Sequence, residues 1–199
     1  MIEQIKNIVQ ESIAAKQTLL HNQPMLASIA AASQAITTAF QSGHRVYFCG
    51  NGGSAADAQH LAAELTGAFY NRNRPALPAE ALHCNTSYLT AVANDYDYSV
   101  VYMRLIQGIG QPGDVLIGLS TSGNSPNIVK ALEQARKMGI VTIGMTGQTG
   151  GQLKPLSDYL FNIPSGSTPR IQEAHMLIGH IICELVEAAI FPPEAPYLA

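Results

Sequence analysis

The strongest constraint on the fold is a local order that occurs twice. A short apolar run leads straight into a loop of glycines and hydroxyl residues, and the loop leads straight into a helix. The first instance is Arg45-Val-Tyr-Phe-Cys49 followed by Gly50-Asn-Gly-Gly-Ser54. The second is Asp114–Leu119 followed by Ser120-Thr-Ser-Gly-Asn-Ser125. Both runs are apolar throughout rather than alternating, so both faces must be covered. Strands of that kind belong to parallel sheets flanked by helices.

The rest of the chain extends the pattern. Apolar spacing near 3.6 predicts helices over 2–20, 24–40, 54–68, 86–93, 97–109, 126–138 and about 169–190. Further strands are predicted at 79–83, 140–145 and 159–163. Gly43 and Gly139 terminate the helices before them, and Pro192, Pro193 and Pro196 close the chain. The fold class is therefore α/β, a three-layer α/β/α sandwich with a mainly parallel central sheet. Residues 1–42 add a helical layer and 43–199 form the α/β core, all within one domain over 1–199. The Ala-rich face of the second helix (Ala30, Ala31, Ala35, Ala39) suits close helix packing, and the two leading helices are candidates to pack on another subunit.

Composition excludes several function classes. Hydrophobic residues make up 47% and charged residues 13%, with a formal charge of -3, so no basic surface for nucleic acid is expected. No run approaches the roughly 18 apolar residues of a membrane span. The start lacks a signal pattern, and three cysteines (Cys49, Cys84, Cys183) without a Cys-x-x-Cys pair argue against a disulfide framework or a thiolate zinc site. The expected setting is the reducing cytoplasm.

Four constellations carry the chemistry. Ser120, Thr121, Ser122 and Ser125 put four hydroxyls within six positions, straight after a buried strand and at a helix start. Hydroxyls, backbone N–H groups and the helix dipole there suit an anion, and Gly123 permits close backbone approach. A lone polar turn with a Ser N-cap would not need that density. The Gly50–Ser54 loop lacks a third glycine, since residue 55 is Ala, and no P-loop lysine follows. It suits a sugar met by Asn51 and Ser54, or simply a tight turn. His60 and Glu64, at i and i+4, share a helix face and suit metal binding, proton handling or an ordinary surface pair. On the last helix, Gln172, His175 and His180 fall on or near one stripe among apolar neighbours, as site residues or satisfied core groups.

Taken jointly, these motifs resemble the SIS (sugar isomerase) family, and within it the phosphoheptose isomerases. The resemblance rests on Cys49-Gly-Asn-Gly-Gly-Ser54, Asp57-Ala-Gln-His60, Ala63-Glu-Leu-Thr-Gly67, Ala93-Asn-Asp95, Gly113-Asp-Val-Leu116, Ser120-Thr-Ser-Gly-Asn-Ser125 and Arg170-Ile-Gln-Glu173, and spans nearly the whole chain. It implies interconversion of sedoheptulose 7-phosphate and D-glycero-D-manno-heptose 7-phosphate, for lipopolysaccharide or related glycans. It implies that Ser120, Thr121, Ser122 and Ser125 hold the phosphate, and that Asn51, Gly52, Gly53, Ser54, Asn94, Asp95 and Gln172 line the rest of the substrate site. It gives Glu64 and His180 the acid–base roles, and His60, Glu64, Gln172 and His180 as ligands of one zinc ion per subunit. It also implies a homotetramer with active sites between subunits. Two positions depart from the pattern. Ala68 stands where many members have Arg, with Arg72 or Arg74 as substitutes, and Pro169 stands where some have an acidic residue. Rival readings are a non-enzymatic SIS protein that binds the replication initiator, a sugar-phosphate sensor, and an isomerase of another sugar phosphate. Retention of both Glu64 and His180 favours the enzyme.

Overall fold

A computed structural model describes residues 1–192; the expected closing prolines Pro193 and Pro196 lie outside the described residues. The chain runs α1 (Ile2–His21), α2 (Gln23–Gln41), β1 (Val46–Cys49), α3 (Gly53–Thr66), β2 (Ala79–Ala81), α4 (Thr86–Asp95), α5 (Val101–Ile109), β3 (Val115–Ser120), α6 (Pro126–Lys137), β4 (Val141–Thr146), β5 (Tyr159–Asn162) and α7 (Thr168–Ile190). The expected helix over 97–109 is divided: a 3-10 turn, Tyr98–Val100, precedes α5. Asp97 caps the 3-10 turn, its side chain accepting a hydrogen bond from Ser99 N (2.8 Å). A second 3-10 stretch, Gly151–Leu156, had no strong apolar period to announce it.

The five strands among the described residues are all parallel, in the order β2-β1-β3-β4-β5. Strand residues alternate between two cores. Val46, Phe48, Val115, Ile117, Leu119, Ile143, Met145 and Phe161 face the layer built from α2, α3 and α7. Tyr47, Cys49 and Leu116 face the opposite layer, which includes α5 and α6. Every β3 residue is buried, which is why the run carries no polar alternation. Gly118 lets α6 settle on the sheet, since a Cβ there would stand 2.7 Å from Leu132 Cδ1.

This order creates the site. From β1 the chain leaves to one side of the sheet, and from β3 to the other, so a crevice opens beyond the carboxyl ends of these neighbouring strands. Open α/β sheets bind ligands at such a switch point. Cys49 pairs in register with Gly118, so the Gly50–Ser54 and Ser120–Ser125 loops emerge side by side.

Candidate active site

The serine loop is prearranged. Ser120 Oγ lies 2.8 Å from Ser125 Oγ and 3.4 Å from Ser122 Oγ, and Ser122 Oγ accepts from Asn124 N at 3.1 Å. The loop is braced by the chain after β4. Gly147 N donates to Thr121 O (2.9 Å), Leu153 N to Gly123 O (3.0 Å), and Gln152 N to Asn124 Oδ1 (3.0 Å). Gly123 has φ +67°, and a Cβ there would meet Gly150 O at 2.3 Å, so the turn needs glycine on both counts. The hydroxyl cluster sits before the N-terminus of the 12-residue α6, where a helix dipole favours an anion.

The Gly50–Ser54 loop carries Asn51 into the same crevice. Gly52, at φ +56°, caps α3, and Ser54 is buried with its N–H bonded to Asn51 O (3.0 Å). Gly53 keeps space for Gln172: a Cβ there would stand 2.6 Å from Gln172 Nε2. The α7 side chain and the α3 N-terminus are thus in contact, although 119 positions separate them in the sequence numbering.

Of the expected acid–base pair, Glu64 lies on α3 and His180 on α7, and His60 Nε2 contacts both. His60 Nε2 is 3.3 Å from Glu64 Oε1 and 2.9 Å from His180 Nε2. The two rings meet edge-on at 5.1 Å, and Phe69 stacks at a tilt on His180 at 5.8 Å. His60 is half-exposed, and Glu64 is mostly covered. The four groups expected as zinc ligands therefore fall on the facing surfaces of two helices. Among the described residues, no three His, Cys, Asp or Glu side chains form a ready-made metal cage. The donor chemistry of two imidazoles and a carboxylate, all within hydrogen-bond or ion-pair reach of His60 Nε2, nevertheless suits zinc.

His175 belongs to the core. It is fully buried, its Nε2 lies 3.1 Å from Thr146 O, and burial pushes its pKa down to about 4, so it stays neutral. Asn94 and Asp95 sit exposed at the end of α4, where Asn94 Nδ2 donates to Asp95 Oδ1 (2.9 Å). Among the described residues no hydrogen bond ties them to either loop. Arg74 is not a substitute substrate arginine. It is buried, paired with Glu187, and donates to Glu64 O (2.9 Å) and Pro75 O (2.9 Å), so it serves the turn behind the site. Arg72 is exposed.

One SIS domain model matches residues 9–147 and a second matches residues 107–190. The chain belongs to the SIS domain family. Within that family it groups with the phosphoheptose isomerases. It is 49% identical over 189 residues to the phosphoheptose isomerase of Mycobacterium tuberculosis, covering 95% of this chain and 96% of the relative. It is 49% identical over 191 residues to that of Aneurinibacillus thermoaerophilus, covering 96% of each. The solved phosphoheptose isomerase of Neisseria gonorrhoeae superposes with a TM-score of 0.87 at 38% identity, over 94% of this chain and 98% of that one.

Sequence reasoning about this SIS chain missed several supporting residues. Asn127 joins the two loops, Lys130 anchors the Tyr98 turn, and the Arg74–Glu187 pair holds the loop over His180. A signal existed for Asn127, a polar residue in the first turn after the serine loop. None existed for Glu187, whose partners lie more than 110 positions away.

Proposed function

We propose that this chain is a phosphoheptose isomerase that converts sedoheptulose 7-phosphate to D-glycero-D-manno-heptose 7-phosphate by proton transfer. The convergence of His180 with His60 and Glu64 carries the reading, since α3 alone supplies only the His60/Glu64 pair and α7 brings the second imidazole. Family membership supports a sugar-phosphate isomerase. The phosphate sits in the serine loop, held by Ser120, Thr121, Ser122 and Ser125, and the sugar extends past Asn51 and the α3 N-terminus.

The reaction moves one hydrogen between neighbouring carbons and one proton between the two oxygens they carry. Glu64 takes the carbon-bound proton and returns it to the adjacent carbon, passing through an enediolate. His180 gives a proton to one oxygen and accepts one from the other. Each such group contributes about 100- to 10,000-fold. His60, Glu64, Gln172 and His180 would hold a zinc ion, which when bound stabilises negative charge on oxygen as a Lewis acid. Glu64 has two carboxylate oxygens, so Oε1 beside His60 leaves the other for the carbon-bound proton.

The proposed assembly is a homotetramer with sites between subunits. Ile5, Val9 and Ile13 lie four apart on α1 and are about half-exposed, while Leu19 is the buried residue of this helix. A second copy would cover that stripe. No helix among the described residues is long and apolar enough to cross a membrane, and the cysteines are free; a cytoplasmic enzyme making heptose for a surface glycan accords with both. The His180–His60–Glu64 chain of contacts favours this over a replication-initiator-binding relative.

The test is to incubate the protein with sedoheptulose 7-phosphate and follow the product by NMR, with and without chelator. Turnover is expected, and Glu64→Gln should lower it at least about 100-fold while sugar-phosphate binding persists. Undiminished turnover in that variant removes Glu64 from the mechanism. Turnover confined to a six-carbon phosphate, such as an acetylated hexosamine 6-phosphate, overturns the substrate.

A further inference from the structure

We propose that Asn127 and Tyr98 are positioning residues that make the Asn51 side chain a pure hydrogen-bond donor toward the reacting sugar. The inference rests on the reading above that Asn51 contacts substrate. Asn127 lies in the first turn of α6, 2% exposed, at the switch-point crevice between β1 and β3.

The orientation of both amides follows from one backbone group. Ile128 N, which is shared with Ser125 O at 3.0 Å, donates to Asn127 Oδ1 at 3.1 Å, which makes that side of the Asn127 amide its oxygen. The same oxygen accepts from Asn51 Nδ2 at 2.9 Å, and Asn127 Nδ2 donates to Asn51 Oδ1 at 2.8 Å. Turning the Asn51 amide over would set donor against donor and oxygen against oxygen. The Tyr98 hydroxyl then donates to Asn51 Oδ1 at 3.2 Å. An amide oxygen has two lone pairs, and both on Asn51 are now taken. One N–H on Asn51 Nδ2 is left for a ligand.

The turn that brings Tyr98 is itself fixed to α6. Lys130 Nζ donates to Ser99 Oγ at 2.6 Å, and Asp97 Oδ1 accepts from Ser99 N at 2.8 Å. One helix thus sets both partners of Asn51. The chemical consequence is selective. Asn51 cannot accept from a sugar hydroxyl; it can only donate to a substrate oxygen. Such a bond strengthens as that oxygen gains negative charge in the enediolate, so its effect falls on the transition state more than on binding.

An amide pair that merely joined two loops would affect stability and leave turnover alone. The experiment separates these roles with Tyr98→Phe, Asn127→Ala, Asn51→Ala and the Asn51→Ala/Asn127→Ala double variant. Each is assayed for kcat and KM with sedoheptulose 7-phosphate, for competition by inorganic phosphate, and for Tm. Tyr98→Phe removes one half-exposed hydroxyl and should fold normally even where Asn127→Ala does not. It should lower kcat roughly fivefold, the worth of one neutral hydrogen bond, with KM and phosphate competition within about twofold. Asn127→Ala should cost more in kcat, and in the Asn51→Ala background its further effect should vanish. Unchanged kcat in Tyr98→Phe, or independent multiplying losses in the double variant, overturns the inference while the sugar contact of Asn51 stands. Full turnover in Asn51→Ala removes that contact and the inference with it.

Discussion

Glu187→Gln removes one charge while keeping the shape of the side chain, so it isolates the carboxylate that holds the turn after α3. Glu187 Oε1 accepts from Tyr70 N (2.7 Å) and Asn71 N (2.9 Å), and Oε2 accepts from Phe69 N (2.9 Å) and from Arg74 Nε. Burial acts to raise the pKa of this carboxyl. Arg74 and the three backbone N–H groups outweigh burial and bring it from 4.5 to about 2. That drop corresponds to about 3 kcal/mol of folding stability at neutral pH. A second route agrees: the Arg74 and Glu187 side chains are 0% and 4% exposed, and breaking such a buried pair from one side costs about 3–5 kcal/mol. For a chain of this size, each kcal/mol moves Tm by about 2–4 °C, so the variant should melt roughly 6–12 °C lower. The sign of the pH dependence follows from the folded pKa lying below the unfolded one. The advantage is complete above about pH 4.5, and it drains as pH falls toward about 2. Urea unfolding of both proteins at one protein concentration, from about pH 7 down to about 3.5, checks this. The wild-type advantage should hold steady to about pH 5 and shrink by about 1.4 kcal/mol for each pH unit below about 4.5. A gap under about 1 kcal/mol at neutral pH, or one undiminished at about pH 3.5, refutes the reasoning.

Gly123→Ala should disable the serine loop, since the residue sits at φ +67° and its Cβ would meet the Gly150 carbonyl at 2.3 Å; phosphate affinity by calorimetry should fall at least about tenfold, a change of about 1.4 kcal/mol. Gly53→Ala should fold nearly normally, because its Cβ meets only the flexible end of Gln172. It should displace that amide, so turnover and any bound zinc measured by metal analysis should drop while Tm moves little. Paired Ile5→Lys and Val9→Lys substitutions, at positions 53% and 51% exposed, should leave the chain folded by circular dichroism and lower its mass in light scattering; an unchanged mass removes α1 from the subunit interface.

The residues that determine the layers lie close together in the chain, so local pattern was enough to read them. Strand runs apolar on every position required helices on both faces, and the abrupt passage from Leu119 into Ser120-Thr-Ser placed a hydroxyl-rich loop at a strand end. The i, i+4 spacing of His60 and Glu64 likewise put them on one helix face before any coordinates were needed. Tertiary structure decided what stands opposite each local feature. His60 and Glu64 alone read first as a surface pair, until α7 set His180 2.9 Å from His60. Arg74 was one of two candidate substrate arginines, with Arg72, from its neighbourhood in sequence, yet a carboxylate 113 positions away claims it. Asn127 and Asn51, 76 positions apart, acquire direction only because the strand order lays their loops side by side. Periodicity reports which side of an element is buried. The partner on that side is chosen by strand order and packing, and hydrogen bonds between distant residues leave no periodic trace in the sequence.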